Sequence, residues 1–312
     1  MFSSIPTISR DQFVARLSKR KYEDLDLVAM IERYVSKKRG FVFRMPRPGS
    51  RVVLMASGGI DSTVAWYILM KEFGLHVYPF MVTNDNHHAQ VSSLSFFSKM
   101  YRKKFVDLYH APLVVPEVTA AREIFDMKKS SELTPRAILD SYDPQHKTFN
   151  WRPGAGSVML EAGQAALYMG SLRSRLPHAF TTIFCGVTAM DGMGVKSQTL
   201  TFLRTSLLYM MTFLADPTLQ YASLYIEKET GWFARKADII RIGVEAMLPL
   251  ERTFSCYRSG SVHCGRCGGC DTRRWEFKQA GVVDKTIYET EGWIRSRGKV
   301  FSQRLTGLLS GR

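Results

Sequence analysis

The chain has 312 residues, of which 45% are hydrophobic and 23% charged, and its formal net charge is +15 at pH 7. This composition is typical of a soluble globular protein, and the sequence shows no internal repeat or low-complexity tract. No apolar run reaches the roughly 18 residues that span a bilayer, and the first residues lack the apolar core of a secretory signal. We therefore expect a cytoplasmic protein with no membrane partner. The positive charge predicts either an anionic partner, a nucleic acid or an acidic protein surface, or simply a basic surface.

The first 48 residues have the pattern of a basic helical extension. Ser9 to Gln12 have the spacing of a capping box, and the apolar positions that follow fit two short helices. Basic clusters at 19–21 and 37–39 flank the second predicted helix. A solvated helix end is the simpler interpretation of these clusters, and contact with phosphate is the alternative. Proline and glycine at 46–49 then separate the extension from the next segment.

An apolar run at 52–55 leads into the sequence SGGIDS at 57–62, and a helical pattern follows. This order of strand, turn and helix is the layout of a backbone anion site. Paired glycines allow a tight turn whose N–H groups converge on one phosphate, and the helix N-terminus adds its positive dipole end. Ser57 and Ser62 can donate hydrogen bonds, and Asp61 can hold a magnesium ion. An ordinary capped turn is the alternative.

The segments after this loop alternate between two patterns. Apolar strand patterns occur at 76–83, 113–115 and 181–187. Helical patterns include 91–105, 157–173 and 200–214. The alternation predicts an α/β fold with a doubly wound parallel sheet, in which ligands bind at the carboxyl ends of the strands, where the loop falls. The polar, irregular residues 120–150 are interpreted as an insertion or lid.

Four of the five cysteines lie close together near the C-terminus, with glycines between them: Cys256, Cys264, Cys267 and Cys270. Thiolates at these spacings can surround one ion, and four sulfurs suit structural Zn²⁺. An iron–sulfur cluster is the alternative. His263 is a further candidate ligand, which we expect to lie outside the site. The fifth cysteine, Cys185, lies within an apolar strand and is predicted to be a buried structural thiol.

The segment at 57–62 resembles the SGGxDS signature of the PP-loop ATP pyrophosphatases, a superfamily with a Rossmann-like adenine nucleotide alpha hydrolase fold. It lacks the lysine of the commoner phosphate-binding loop. Members of the superfamily cleave ATP between its α- and β-phosphates and adenylate a carboxylate or carbonyl oxygen. The resemblance implies that ATP is bound with Mg²⁺ and that the departing pyrophosphate is held by Ala56, Ser57, Gly58, Gly59, Ile60, Asp61 and Ser62.

Residues 253–288 closely resemble the C-terminal signature of the QueC family, the 7-cyano-7-deazaguanine synthases. The shared pattern is Ser-Cys-Tyr, then His-Cys-Gly-x-Cys-x-x-Cys, Ala-Gly-Val and Asp-x-Thr-x-Tyr. Upstream, the segment around Lys236 matches a lysine-containing segment of the family. The resemblance implies that Asp61 and Lys236 are catalytic, with the lysine neutralising phosphate charge. It further implies that the substrate is bound by Gly154, Gly186 and Asp191.

QueC enzymes adenylate the carboxylate of 7-carboxy-7-deazaguanine, capture it with ammonia and dehydrate the amide to a nitrile with a second ATP. The resemblance implies the activating step, and a homodimer. Three segments depart from the family pattern around the predicted acceptor pocket, at 84–88, 155–156 and 192–198. They favour a protein amine as acceptor, as in QueC-like proteins of anti-phage operons. Housekeeping nitrile synthesis with ammonia is the alternative.

Two other classes stay open at this point. A tRNA-thiolating PP-loop enzyme would suit the basic charge and an iron–sulfur cluster, and a nucleotide-sensing module would bind ATP without turnover. The predicted organisation has three parts. They are a basic helical extension at 1–48, a PP-loop ATP pyrophosphatase domain at 49–250 and a zinc-binding segment at 251–312.

Overall fold

The fold is organised around a parallel five-stranded sheet. The computed structural model describes residues 6–20, 22–83, 88–116, 142–143, 148–149, 153–176, 180–189, 198–258 and 260–289. In chain order the strands are β1 (Arg51–Met55), β2 (His76–Thr83), β3 (Leu113–Pro116), β4 (Tyr142–Asp143), β5 (Thr148–Phe149), β6 (Thr182–Cys185), β7 (Gln220–Ser223), β8 (Ile226–Glu227) and β9 (Trp232–Phe233). The sheet order is β3-β2-β1-β6-β7, and the pairs β4-β5 and β8-β9 are separate antiparallel ribbons.

Eight α-helices accompany the strands within the described residues. They are α1 (Arg10–Leu17), α2 (Leu25–Arg39), α3 (Ile60–Lys71), α4 (His88–Lys104), α5 (Pro153–Arg175), α6 (Leu200–Phe213), α7 (Lys236–Glu245) and α8 (Gly268–Ala280), with a 3-10 turn at Leu250–Arg252. None of them is long and apolar enough to cross a membrane. The predicted capping box is confirmed, since Ser9 and Gln12 exchange hydrogen bonds at the start of α1.

Both faces of the sheet are covered, as parallel strands require. Val52 and Leu54 of β1 point into a cluster formed with α3, α4, α7 and α8. Val53, between them, points into a second cluster formed with α1, α2, α5 and α6. The strand order reverses between β1 and β6, so the topological switch point of this doubly wound sheet lies at their carboxyl ends. The predicted fold class is confirmed.

The N-terminal helices pack directly on the sheet. Phe13 of α1 and Ile31 of α2 are buried in the second cluster. A buried ionic cluster adds to this contact: Nε of Arg204 on α6 lies 2.9 Å from Oε1 of Glu32 on α2. The same guanidinium binds Glu227 of β8, and Lys228 binds Glu32. The ionic cluster therefore joins α2, α6 and the β8-β9 ribbon.

Two of the basic residues that flank α2 differ from the predicted solvated helix end. Arg20 is buried, and its Nη2 donates to the Gln198 carbonyl at 3.1 Å. Arg39 donates from Nε to the Phe41 carbonyl at 3.0 Å, and its other nitrogens reach the carbonyls of Val42 and Leu219. The prediction of a solvated helix end was therefore wrong for Arg20, which is buried, and only partly right for Arg39, which is half-buried, because nearby carbonyl groups accept hydrogen bonds from both.

Other differences concern element boundaries. Helix α4 begins at His88 rather than near residue 91, and α5 begins at Pro153 rather than 157. Proline suits this first helical position, since its missing N–H would have no partner there. Strand β6 is shorter than the predicted run at 181–187. The proposed insertion at 120–150 lies largely outside the described residues.

Candidate active site and metal centre

The predicted phosphate loop joins β1 to α3 at the switch point of the sheet. Helix α3 begins at Ile60, close to the predicted start. Gly58 has φ +71°, and a Cβ at this position would lie 2.3 Å from the Gln90 carbonyl oxygen. Only glycine fits this combination of backbone conformation and close approach. On either side, Ala56 and Ile60 are buried and anchor the loop in the core.

Hydrogen bonds from two distant segments hold the loop in place. The Gly58 carbonyl accepts from Ser93 Oγ at 2.7 Å and from the Phe254 N–H at 2.9 Å. Within the loop, the Ser57 N–H donates to Ser62 Oγ at 3.1 Å, and the two hydroxyl oxygens lie 3.2 Å apart. The structure thus brings the two predicted phosphate donors together in a loop that Ser93 and Phe254 hold by hydrogen bonds.

Asp61 and Lys236 form an ion pair beside the loop. Lys236 Nζ lies 3.1 Å from Asp61 Oδ2, and about one fifth of each side chain (21%) is exposed. Lys236 is the first residue of α7, which places its ammonium group over the N-terminus of α3. The Tyr225 hydroxyl donates to the Asp61 carbonyl at 2.7 Å. Burial, together with the nearby Asp61 carboxylate, raises the pKa of Tyr225, so this donor stays protonated.

The predicted substrate residues divide into three cases. Gly186 follows β6 directly, and a Cβ there would lie 3.4 Å from both Asp61 Cβ and Ser62 N. It therefore borders the loop at the switch point. Gly154 lies in the first turn of α5. Asp191 lies outside the described residues, as do 84–87 and 192–197.

The four clustered cysteines converge as predicted. The Sγ atoms of Cys256, Cys264, Cys267 and Cys270 all lie within 4.8 Å of one another. Sγ of Cys267 is 3.7 Å from that of Cys256 and 3.6 Å from that of Cys270. His263 is outside this group, as predicted, because its Nε2 accepts the Ser255 N–H at 3.1 Å. Cys185 is buried in β6, away from the four.

Main-chain N–H groups surround the sulfur atoms. Sγ of Cys256 accepts from the N–H groups of Arg258 and Cys264, both at 3.4 Å. Sγ of Cys267 accepts from the Tyr257 N–H at 3.4 Å. Burial opposes ionisation of Cys267, but this hydrogen bond and others outweigh it and lower its pKa to about 7. Burial instead raises the pKa of Cys256 and of Cys270, so these two thiols would ionise only as a soft divalent metal binds them.

A buried arginine connects the cysteine segment to the turn that precedes it. Arg273 of α8 donates to Thr253 Oγ1 at 2.9 Å and to the Leu250 carbonyl at 2.7 Å. It also pairs with Asp284 at 3.4 Å. Phe254, next to Thr253, is the residue whose N–H holds Gly58. The cysteine cluster and the predicted phosphate loop are therefore parts of one connected structure.

Three residues that hold the site were not found from the sequence: Ser93, Tyr225 and Phe254. Ser93 lies 35 positions from Gly58, and Tyr225 lies 164 positions from Asp61. Neither carries a local motif, so only the folded chain brings them to the loop. Phe254 falls in the QueC-like segment, but its contribution is a backbone N–H, which no side-chain pattern reveals.

The fold and site together define an α/β protein of the PP-loop type, with a paired-glycine loop at the switch point of a parallel sheet and a four-cysteine cluster beside it. The family model described as "Queuosine biosynthesis protein QueC" matches residues 51–281. The chain belongs to the QueC family. The match covers both the loop and the cysteine cluster.

Individual relatives agree with this assignment. A 7-cyano-7-deazaguanine synthase of Methanothrix thermoacetophila is 27% identical over 255 residues, which are 77% of this chain and 99% of that protein. A synthase of the same name from Chelativorans sp. is 50% identical over 60 residues, 19% of this chain and 26% of that protein. The solved structure of a U34-tRNA thiolase from Methanococcus maripaludis is 10% identical, with a TM-score of 0.35, and covers 88% of this chain and 80% of its own. A likeness this weak carries no argument about metal or substrate.

Proposed function

We propose that this protein adenylates the carboxylate of 7-carboxy-7-deazaguanine, or of a close deazapurine acid, and passes the acyl group to a nitrogen nucleophile. The observation that carries the proposal is the paired-glycine loop with the Asp61–Lys236 pair at the switch point. The relatives that carry the name 7-cyano-7-deazaguanine synthase favour ammonia as the nucleophile. They favour ammonia over the protein amine, which is the acceptor that the departures at 84–88, 155–156 and 192–198 suggest. Conjugation to a protein amine and assembly as a homodimer stay predictions.

In the activating step, a carboxylate oxygen attacks the α-phosphorus of ATP. The bond between the α-phosphorus and the bridging oxygen breaks, and pyrophosphate leaves with the electron pair. Negative charge develops on the leaving group. The N–H groups around Gly58 and Gly59 and at the N-terminus of α3 can stabilise this charge by donating hydrogen bonds to it. Because Gly58 is held from outside by Ser93 and Phe254, these donors need no reorganisation during the reaction.

Lys236 and Asp61 supply opposite charges next to these donors. The lysine neutralises phosphate charge, and the carboxylate is a hard oxygen ligand of the kind that Mg²⁺ prefers. When bound, Mg²⁺ supplies positive charge to the phosphates. In the transfer step, nitrogen attacks the activated acyl carbon, AMP leaves with the electron pair, and the nitrogen loses a proton. Adenylation is needed because a free carboxylate has a poor leaving group and repels nucleophiles.

We also infer that the four cysteines hold a structural zinc ion. Sulfurs bound to tetrahedral zinc at about 2.3 Å are separated by about 3.8 Å, close to the 3.7 and 3.6 Å between Cys267 and two of its partners. Each thiolate of an iron–sulfur cubane binds a different iron, which spreads the sulfurs farther apart. Metal analysis of the purified protein is expected to give one zinc per chain without iron or labile sulfide. Iron with labile sulfide would contradict zinc and favour the thiolating class.

The proposed reaction is tested by product analysis. Incubation with ATP, Mg²⁺, the deazaguanine acid and ammonium is expected to yield the nitrile, identified by mass, with two AMP and two pyrophosphate per nitrile. The second ATP adenylates the oxygen of the intermediate amide, which then leaves as AMP as the nitrogen loses its remaining protons. Asp61→Asn, which keeps the size of the side chain and removes its charge, is expected to slow pyrophosphate release about a hundredfold or more. ADP as the spent nucleotide, or full activity in this variant, would contradict the proposal. Acid-dependent AMP formation without nitrile, with a mass increase on an added protein, would move the acceptor to a protein amine.

A further inference from the structure

A large cavity lies beside the phosphate loop, between α4, the 3-10 turn and the cysteine segment. Its volume is about 830 Å³, within the roughly 300–1,000 Å³ of small-molecule sites. Two residues singled out in the sequence line it, His88 of the departing segment 84–88 and His263, whereas the residues assigned to ATP, the acid or the metal do not. Its walls include His88, Ser93, Phe96, Arg252, Phe254 and Lys285. The catalytic steps described above leave this cavity without a role.

Residues that line the cavity donate hydrogen bonds directly to the phosphate loop. Two of its lining residues, Ser93 and Phe254, are the donors to the Gly58 carbonyl. A Cβ on Gly59 would lie 3.7 Å from the Phe254 carbonyl oxygen. A ligand in the cavity therefore lies against the same two residues that hold the loop.

The chemistry of the walls indicates what kind of ligand fits. Two permanent cations, Arg252 and Lys285, line the cavity together with one acidic residue, Glu251. Phe96 exposes 37% of its surface, and the Arg252 guanidinium lies 5.3 Å from the centre of its ring. An aromatic ring with a neighbouring guanidinium is a stacking surface for a flat, electron-rich ligand, and cations select a carboxylate. The walls thus suit a planar aromatic acid.

We propose that this cavity binds the acid that the enzyme activates, with Phe96 under its heterocycle and Arg252 and Lys285 holding its anionic form. The inference rests on the proposed function for the identity of the acid. It adds a substrate site that differs from the residues predicted from the sequence. The heterocycle is held by stacking and the carboxylate by charge, so binding of the acid and binding of ATP use separate residues.

Substitution of the cavity residues tests this assignment. Lys285→Met and Phe96→Ala are compared with Lys278→Met and Phe213→Ala, exposed residues of the same types that lie outside the cavity. Two quantities are measured: the KM values for acid and ATP in pyrophosphate release, and the Kd of the acid by calorimetry with α,β-methylene-ATP present. The cavity variants are expected to raise the KM and Kd for the acid about tenfold or more and to leave the KM for ATP unchanged. The control variants are expected to behave as wild type.

The possible results test the proposed binding site for the acid and the proposed reaction independently of each other. Wild-type values for the acid in both cavity variants would overturn the assignment while the proposed function stands. Binding of the acid by the wild type without pyrophosphate release, weakened by the cavity variants, would support the cavity and overturn the activity. No binding of the acid by the folded wild type would overturn both. A rise in the KM for ATP alone would also overturn the assignment, since it would place the nucleotide in the cavity.

Discussion

At the scale of single residues, Gly58 has the strictest requirement in the site. Its φ of +71° and its 2.3 Å approach to the Gln90 carbonyl both exclude a side chain. Gly281, at the end of α8, has nearly the same φ, +70°, but a Cβ there would meet nothing within 4 Å. An alanine at Gly281 would therefore cause backbone strain alone, whereas an alanine at Gly58 would cause the same strain and a steric clash as well.

Gly281→Ala is expected to cost about 1–2 kcal/mol of unfolding free energy, the penalty for a left-handed residue, and to leave pyrophosphate release unchanged. Gly58→Ala has to displace the first turn of α4 as well, so we expect a larger loss of stability and no measurable pyrophosphate release. Urea unfolding and the product assay measure these two effects. Equal stability and equal activity in the two variants would show that the loop does not need its observed conformation.

The sequence predicted which residues of the site meet, but not what holds them. The loop and the four cysteines followed from motifs with fixed local spacing, and the roles of Asp61 and Lys236 from the family resemblance. The ion pair between these two residues is seen only in the structure. The supports of the loop are long-range contacts made by ordinary residues such as Ser93. The cavity walls come from three separate segments. A pattern within one segment carries no information about such contacts.

A pair of contacting histidines lies at the amino end of the sheet, opposite the end that carries the phosphate loop. His110 Nε2 is 3.3 Å from His76 Nδ1, and the His110 ring stacks on Tyr78 with ring centres 3.7 Å apart. Burial, and then the positive charges of His76 and Arg51, lower the pKa of His110 to about 4. The folded protein thus keeps this imidazole neutral at pH values where a free histidine is protonated.

This depressed pKa predicts how stability depends on pH. Unfolded His110 takes up a proton below its ordinary pKa of about 6.5, whereas the folded protein does so only near pH 4. The unfolded state binds more protons between these values, so its relative free energy falls, and stability decreases as pH falls from 6.5 to 4. In His110→Phe, which retains a ring to stack on Tyr78, urea unfolding at pH 7 and pH 5 is expected to show a smaller decrease. An equal decrease in wild type and variant would contradict the assignment to His110.

At the scale of elements, the buried ionic cluster decides how α2, α6 and the β8-β9 ribbon stay together. Arg204 is fully buried between Glu32 and Glu227. Arg241 on α7 makes a comparable pair with Asp238 at 2.6 Å, but its side chain is 40% exposed. Removing a buried cation leaves carboxylates without compensation, whereas water replaces an exposed one.

Arg204→Met is therefore expected to lower the free energy of unfolding by about 3–5 kcal/mol, and Arg241→Met by about 1 kcal/mol or less. Urea denaturation of both variants at pH 7 measures the difference. Similar small losses in the two variants would mean that α2 is held by apolar packing alone. The double variant with Glu227→Gln then tests the pairing, because Lys228 still compensates Glu32 whereas Glu227 loses its partner, so removal of the Glu227 charge should recover part of the Arg204→Met loss.

Prediction of elements from the sequence succeeded where burial gives a regular pattern. Strand β2 spans His76–Thr83 as predicted, since it is a continuous apolar run in the middle of the sheet. Strand β7 was not predicted, because its first residue is polar. Gln220 is nevertheless buried, and its Nε2 donates to Thr182 Oγ1 at 2.8 Å and to the Arg44 carbonyl at 3.1 Å. Hydrophobic periodicity does not register a buried polar side chain whose partners lie elsewhere.

At the scale of the whole molecule, the N-terminal helices share a core with the sheet. An amphipathic pattern predicts that one helix face is buried, but not which surface covers it. Here the covering surface is the second face of the sheet, together with α5 and α6. The boundary near residue 48 stays a prediction, and shared packing makes cooperative unfolding of the two parts the expected behaviour.

Two neighbouring residues of α2 test this cooperativity. Ile31 is 2% exposed in the shared core, and Met30 beside it is 53% exposed. Ile31→Asp places an unpaired charge against the sheet and is expected to lower the unfolding free energy by about 3–5 kcal/mol, in a single transition seen equally by circular dichroism and tryptophan fluorescence. Met30→Asp is expected to stay within about 0.5 kcal/mol of wild type. A separate early transition in Ile31→Asp, with the main midpoint unchanged, would instead identify residues 1–48 as an independently unfolding unit, because loss of their packing would then leave the sheet intact.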